Sequence, residues 1–309
     1  MIGAPPVVSA GRLREGASRL RRREALYGYL FILPNTAGFL YFFLLPIVAA
    51  FVLGFMSWDL IQRPQWVGLA NYIALIHDPQ FWIALGNTIY YTAVSVPISI
   101  ALSLLLAVAV NTQLRERLLY RIAYFMPWVS MPVAIALVWK WIYDPQLGVL
   151  DNLLAGLNLP QPGWLNDPLW AMPSLIIMAV WKSLGYNMII FLAGLQGIPQ
   201  DLYEAASIDG AGAIARFWRI TVPLISPATF FVLVISLISS FQVFDQVYIM
   251  TQGNPNDSLR VLATQIYSYG FQYFKMGYAT AIAWTLFALV LVVTMIQIAG
   301  QKRWVHYES

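Results

Sequence analysis

From Tyr27 to Ser57 no charged residue appears, and apolar runs of comparable length return at about 85–110, 122–139, 169–194, 225–250 and 277–299. A helix needs about 20 apolar residues to cross the hydrocarbon of a bilayer. Inside that hydrocarbon only helices and closed barrels satisfy their own backbone groups. A barrel would be written as alternating segments of about 10 residues; these runs are continuous. The expected fold is therefore all-α, a polytopic transmembrane helical bundle with six predicted spans. Only 10% of the chain is charged, against about 25% in soluble domains, which excludes a water-soluble globule. The first run is too long for a signal-peptide core and lacks a small-residue cleavage site, so it is expected to be a retained helix. Pro34 and Pro46 should bend or interrupt it.

Six spans place both termini on one side. With the N-terminus inside, the interior segments hold Arg12, Arg14, Arg19, Arg21, Arg22, Arg23, Arg115, Arg117, Arg121, Arg216, Arg219, Lys302 and Arg303, whereas the exterior ones hold only Arg63, Lys140, Arg260 and Lys275. That asymmetry follows the positive-inside rule, and the reverse orientation violates it in nearly every loop. The chain thus divides into a basic segment 1–26, a membrane domain 27–300 and a tail 301–309, with both termini and the 195–224 loop cytoplasmic. The Arg19–Arg23 run reads as a topology anchor or as a contact for anionic lipid. Outside, Trp58, Trp66, Trp82, Trp139, Trp141, Trp164 and Trp170 fit an interfacial belt or a docking surface for a binding protein.

Little of the chain can do chemistry. It has no cysteine and only His77 and His306, so no disulfide, thiol nucleophile or His-rich metal centre is expected. No close carboxylate pair or Ser/His/Asp arrangement suggests a catalytic residue. Lys140, Lys182, Lys275 and Lys302 all lack the glycine frame of a phosphate loop. The chain itself should bind neither ATP nor a metal, and no nucleic-acid partner is expected. Two ionisable residues lie within spans. Lys182 is central in the fourth, where a charge costs about 2.5–3.5 kcal/mol and usually faces the bundle interior. It reads as a pathway residue or as half of a structural pair. Asp245, near the outer end of the fifth, reads as a loop anchor.

The polar loop between the fourth and fifth spans has its own grammar. Pro199 precedes a helical stretch beginning at Gln200, a position where its missing N–H costs nothing. Asp201 and Glu204 fall in the first turns, favourably for the helix dipole. Gly210 and Gly212 free the backbone to turn, and a second short helix runs from Ala213 to Thr221 before Pro223. The Ala205-Ala206 pair admits another protein close to the backbone, and Glu204 offers a carboxylate to a partner's arginine. A hairpin lying in the lipid interface is the competing reading.

Glu204-Ala205-Ala206, then Asp209-Gly210, then Ile220-Thr221-Val222-Pro223, resemble the "EAA" coupling loop of ATP-binding-cassette (ABC) importer permeases. The runs Gly194–Tyr203, Ile208–Ala211, Ser240–Gln246 and Thr251–Pro255 are similar to the carbohydrate branch, which includes maltose-, trehalose- and glycerol-3-phosphate-type transporters, and specifically to its first permease subunit. Val222 departs from the usual Leu, and Asn254 from the common Gly. The resemblance implies the type I ABC importer permease fold in a bacterial or archaeal cytoplasmic membrane. It implies four kinds of partner: a second permease, two ATPase subunits that bind ATP and Mg, an extracytoplasmic solute-binding protein, and a sugar, oligosaccharide or polyol-phosphate solute. It also implies that Glu204, Ala205, Ala206, Asp209, Gly210, Ile220 and Pro223 couple to the ATPases. Substrate-facing residues would come from Trp181, Lys182, Ser183, Tyr186 and Asn187 on one wall and Ser236, Ser239, Ser240 and Gln242 on the other. For Ser236, Ser239 and Ser240 helix packing is the alternative. For the whole chain the alternatives are a motor-independent secondary transporter or channel, or a membrane scaffold that recruits a soluble protein.

Overall fold

In the computed structural model, residues 10–111, 117–253 and 255–305 are described; Arg115, Asn254 and His306 lie outside them. The chain divides into two units, one ending at Leu53 and one starting at Gly54.

The first unit is helical. Helix α1 (Ala10–Phe39) runs straight through Pro34, then widens into a π-helical turn at Leu40–Leu44 before α2 (Leu45–Leu53). The interruption expected from both prolines occurs only beside Pro46. That residue lacks the N–H its preceding turn needs, and a widened turn absorbs the mismatch.

The second unit opens with a two-stranded antiparallel hairpin, β1 (Met56–Ser57) and β2 (Gln65–Trp66), followed by α3 (Ala70–His77). The long helix α4 (Pro79–Val110) starts six residues before the apolar run suggests. The reason is local: the Asp78 carboxylate accepts a hydrogen bond from Gln80 N at 2.9 Å and Pro79 occupies the first turn. Asp78 also accepts from the phenols of Tyr278 (2.6 Å) and Tyr269 (3.2 Å), tying the start of α4 to the chain's last span. Burial and that carboxylate push the Tyr269 phenol above its ordinary range.

Next come α5 (Arg117–Val129) and α6 (Pro132–Ile142), which do not form one straight span. They meet at 99° across Ser130 and Met131. Helix α7 (Val149–Gly156) precedes α8 (Ala171–Gln196), the central rod. Then α9 (Gln200–Ile208), α10 (Ala213–Arg216), a π-helical turn Phe217–Thr221 and α11 (Val222–Leu224) make a hairpin whose second arm, Ala213–Leu224, is bent 65° from α12 (Ser226–Phe241). The chain closes with α13 (Asp245–Met250), α14 (Leu262–Tyr267) and α15 (Met276–Gln301). Among the described residues four helices are long and apolar enough to cross a membrane, or six if each bent pair is one span.

Helix α4 packs along α8 and α12, and α5 lies across α8. The α4 face that makes this possible is a buried stripe of small or hydroxylated residues, Ala84, Thr88, Thr92, Ser95, Ser99, Ser103 and Ala107. Such residues let membrane helices approach closely. Gly185 does the same for α5: a Cβ there would fall on the backbone carbonyl of Tyr124.

Candidate functional site

A cavity of about 240 Å³ opens where α4, α5, α8 and α12 converge. Its α8 wall carries Lys182, Ser183, Tyr186 and Asn187, and its α12 wall carries Ser236, Ser239 and Ser240, with Gln242 just beyond. Trp181 is the one predicted wall residue that does not line it. One residue on a helix turns the side chain by about 100°, so Trp181 faces away from Lys182 and packs edge-on against Trp139 at 5.4 Å.

The α4 and α5 walls went unanticipated. Tyr91, Ser95 and Ser99 come from α4 and Trp128 from α5. Trp128 stacks on Tyr186 with ring centroids 4.4 Å apart, making a flat aromatic wall. The hydroxyl repeat along residues 88–103 was a visible signal for α4; nothing in the sequence says which helix it meets.

Several lining polar groups are already engaged. Asn187 Nδ2 donates to Ser99 Oγ at 3.0 Å, and the Ser99 and Ser183 hydroxyls share a 2.7 Å bond. These bonds lock α4 to α8 and fix the polar floor. Ser240 Oγ turns back to Leu237 O at 3.0 Å, and the Tyr91 phenol donates to Gln246 Oε1 at 3.3 Å. The cavity therefore presents fixed hydroxyls and amides on a rigid, mostly apolar frame, the usual make-up of a small-molecule site.

Asp245, expected as a loop anchor, lies at the start of α13 and lines the same cavity as Lys182. The reason is that the fifth apolar run does not continue as one helix. Helix α12 stops at Phe241, and residues 242–244 carry the chain across to α13, which packs on α6.

Away from the cavity, the α9–α11 hairpin carries Glu204, Ala205, Ala206, Asp209, Gly210, Ile220 and Pro223. Gly210 takes φ +80°, a left-handed angle suited to glycine, and Ala211 N donates to Ala206 O at 2.8 Å to close the turn. Arg216 donates to Ser207 Oγ at 2.7 Å, and the Tyr203 and Thr221 hydroxyls pair at 3.0 Å. Two side-chain clamps thus hold the arms together. Glu204, Ala205, Asp209 and Gly210 are exposed on its outer edge, whereas Ile220 and Pro223 are half-buried at its base. Ile208, Ile214 and Trp218 are legible in the sequence as apolar positions of the two short helices, but not as surface: Ile208 is 87% exposed, Ile214 77% and Trp218 64%. Among the described residues no group of His, Cys, Asp or Glu could hold a metal ion.

The profile of the family described as "Binding-protein-dependent transport system inner membrane component" matches residues 85–305. "Probable ABC transporter permease protein YesP" of Bacillus subtilis (strain 168) is 37% identical over 94% of this chain and 96% of its own length. The "Arabinooligosaccharides transport system permease protein AraP" of the same organism is 35% identical over 95% and 94%. A chain from the solved structure of a bacterial alginate ABC transporter, in complex with an alginate pentasaccharide-bound periplasmic protein, superposes with a TM-score of 0.81. It is 27% identical over 93% of this chain and 96% of that one.

Proposed function

This chain belongs to the family of binding-protein-dependent transport system inner membrane components, and we propose that it is the first permease subunit of an ABC importer that carries a carbohydrate. In this reading it pairs with a second permease, two ATPase subunits that bind ATP and Mg, and an extracytoplasmic solute-binding protein. Both termini and the α9–α11 hairpin face the cytoplasm, as the distribution of arginine and lysine favours.

The observation that carries the coupling assignment is the hairpin's outer edge. Ile208, Ile214 and Trp218 are strongly exposed on the same hairpin that exposes the Glu204 and Asp209 carboxylates. A single exposed apolar residue is ordinary, but three large ones on one short polar hairpin fit a protein partner. Closure of the ATPase dimer would pull this hairpin, and α12, continuous with its base, would carry the movement to the cavity. The cavity would take the solute. Its hydroxyls and amides both donate and accept, as sugar hydroxyls do, and the Trp128–Tyr186 stack supplies an aromatic flank.

Mass spectrometry of the complex purified in mild detergent tests the assembly. The expected result is a co-purifying protein with a phosphate-loop motif, lost or weakened with Glu204→Arg. Recovery of no such ATPase in several detergents would overturn the coupling assignment.

A further inference from the structure

Among the described residues, the two formal charges on the cavity wall are Lys182 and Asp245. Among the described residues nothing hydrogen-bonds the Lys182 ammonium or the Asp245 carboxylate, and the two are not joined as an ion pair within 4.0 Å. Lys182 is buried, 9% exposed, at mid-length of α8, a place where an ammonium is costly to hold without partners. Both residues line the cavity without meeting, Lys182 buried and Asp245 exposed, and neither spends its hydrogen-bonding capacity on the other.

What could bridge such a gap follows from donor and acceptor counting. The ammonium only donates, and the ionised carboxylate only accepts. A bridging ligand must accept at one point and donate at another. Vicinal hydroxyls of a saccharide do both. An acidic saccharide can also place a hydroxyl on Asp245, so donor counting alone does not exclude it; what counts against it is the negative charge that its carboxylate, sulfonate or phosphate adds to a cavity whose formal charges cancel.

We propose that Lys182 and Asp245 are the two poles of a charge-balanced clamp that selects an uncharged saccharide over an acidic one, with adjacent hydroxyls spanning from ammonium to carboxylate. This rests on the carbohydrate-importer reading above and narrows it, because the alginate transporter it resembles imports an acidic polysaccharide while AraP is named for arabino-oligosaccharides.

The test is saturation-transfer NMR on the assembled permease complex in nanodiscs, without the binding protein so that its own selectivity does not intervene. Matched pairs serve as probes, galactobiose against digalacturonate and galactotriose against trigalacturonate. The parent complex should favour the neutral member by about tenfold or more, the scale expected of even one of the two or three carboxylates of these probes left uncompensated in a weakly screened site. Asp245→Asn should reverse that preference, leaving Lys182 free for the uronate. Lys182→Gln should weaken the neutral ligand and abolish the acidic one. A merely structural role for the pair would weaken both members equally and leave their ratio unchanged, which would overturn the proposal. So would equal or tighter uronate binding by the parent complex, a result that needs no variant to fold. Binding of no saccharide at all would instead overturn the carbohydrate reading beneath it.

Discussion

Replacing Gly185 by alanine adds one methyl group at the point where α5 crosses α8. That Cβ would lie on the Tyr124 carbonyl and 2.7 Å from Phe125 N, whereas ordinary contacts begin near 3.4 Å. The obstructing atoms are backbone, so no side chain can rotate away; α5 must retreat by roughly 1.5 Å to clear the Tyr124 carbonyl. Overpacking of this kind costs about 1–3 kcal/mol. The same retreat pulls Trp128 off Tyr186, a stack worth about 0.5–1.5 kcal/mol. Against this, alanine gains about 0.8–1.0 kcal/mol of helix propensity over glycine. The net expectation is a loss of roughly 1–3 kcal/mol, with the aromatic wall of the cavity displaced. Gly86→Ala is the matched control: it sits in α4 with nothing within 4 Å of the new Cβ, so only the propensity gain applies. Thermal unfolding of the reconstituted complex should give a lower Tm for Gly185→Ala and an unchanged or higher one for Gly86→Ala. At ~2–4 °C per kcal/mol for a chain of this size, the expected fall is on the order of 2–12 °C. A Gly185→Ala complex as stable as its parent, with Trp128 still stacked, would refute the close approach of these helices.

Other substitutions separate the functions of the remaining parts. Glu204→Arg should leave membrane insertion intact while uncoupling ATP hydrolysis from uptake or dissociating the ATPase; normal coupled uptake would rule out the hairpin's assigned role. Trp218→Ala should weaken ATPase association by roughly 1 kcal/mol or more, as truncation of an interfacial tryptophan does, and binding measured in detergent reads this directly. Asp78→Ala removes a helix cap and the acceptor of two phenols. It should destabilise the chain by about 1–3 kcal/mol, and the Tyr269 phenol, held up in part by that carboxylate, should ionise at lower pH in ultraviolet titration. Tyr203→Phe deletes only the hydroxyl that meets Thr221 at 3.0 Å. A loss of about 1 kcal/mol is expected, with a larger effect on coupling than on stability, read as ATP hydrolysed per solute imported.

The fold class was legible because apolar length is a direct physical requirement of a bilayer. What escaped was local chain chemistry set against that requirement. Asp78-Pro79 announces a helix start, yet it lies before the apolar run, so a reading keyed to apolarity begins α4 too late. The third run spans Ser130-Met131-Pro132 without losing apolarity, and nothing in its hydropathy reveals the 99° bend between α5 and α6. The polar walls on α8 and α12 could be named in advance from the resemblance, but the choice between Trp181 and Lys182 depends on helix phase. Asp245 shows the deeper limit. Its role depends on where α12 ends, and a continuous apolar run conceals that end. In the hairpin the turn residues were readable from Gly210 and Pro223, whereas the exposed apolar edge was not, because exposure of Ile208 and Trp218 is a property of the folded arms.

The central claim is that this chain forms a solute pathway driven by separate ATPases through the α9–α11 hairpin. Its most direct test is saccharide uptake into proteoliposomes holding the full complex, with ATP enclosed on the hairpin side and binding protein outside. Uptake should require ATP, stop when the ATPase subunits are omitted, and fail with Glu204→Arg while the complex remains embedded. Uptake that proceeds unchanged without ATP or without the ATPase subunits would contradict it and make the chain a motor-independent transporter.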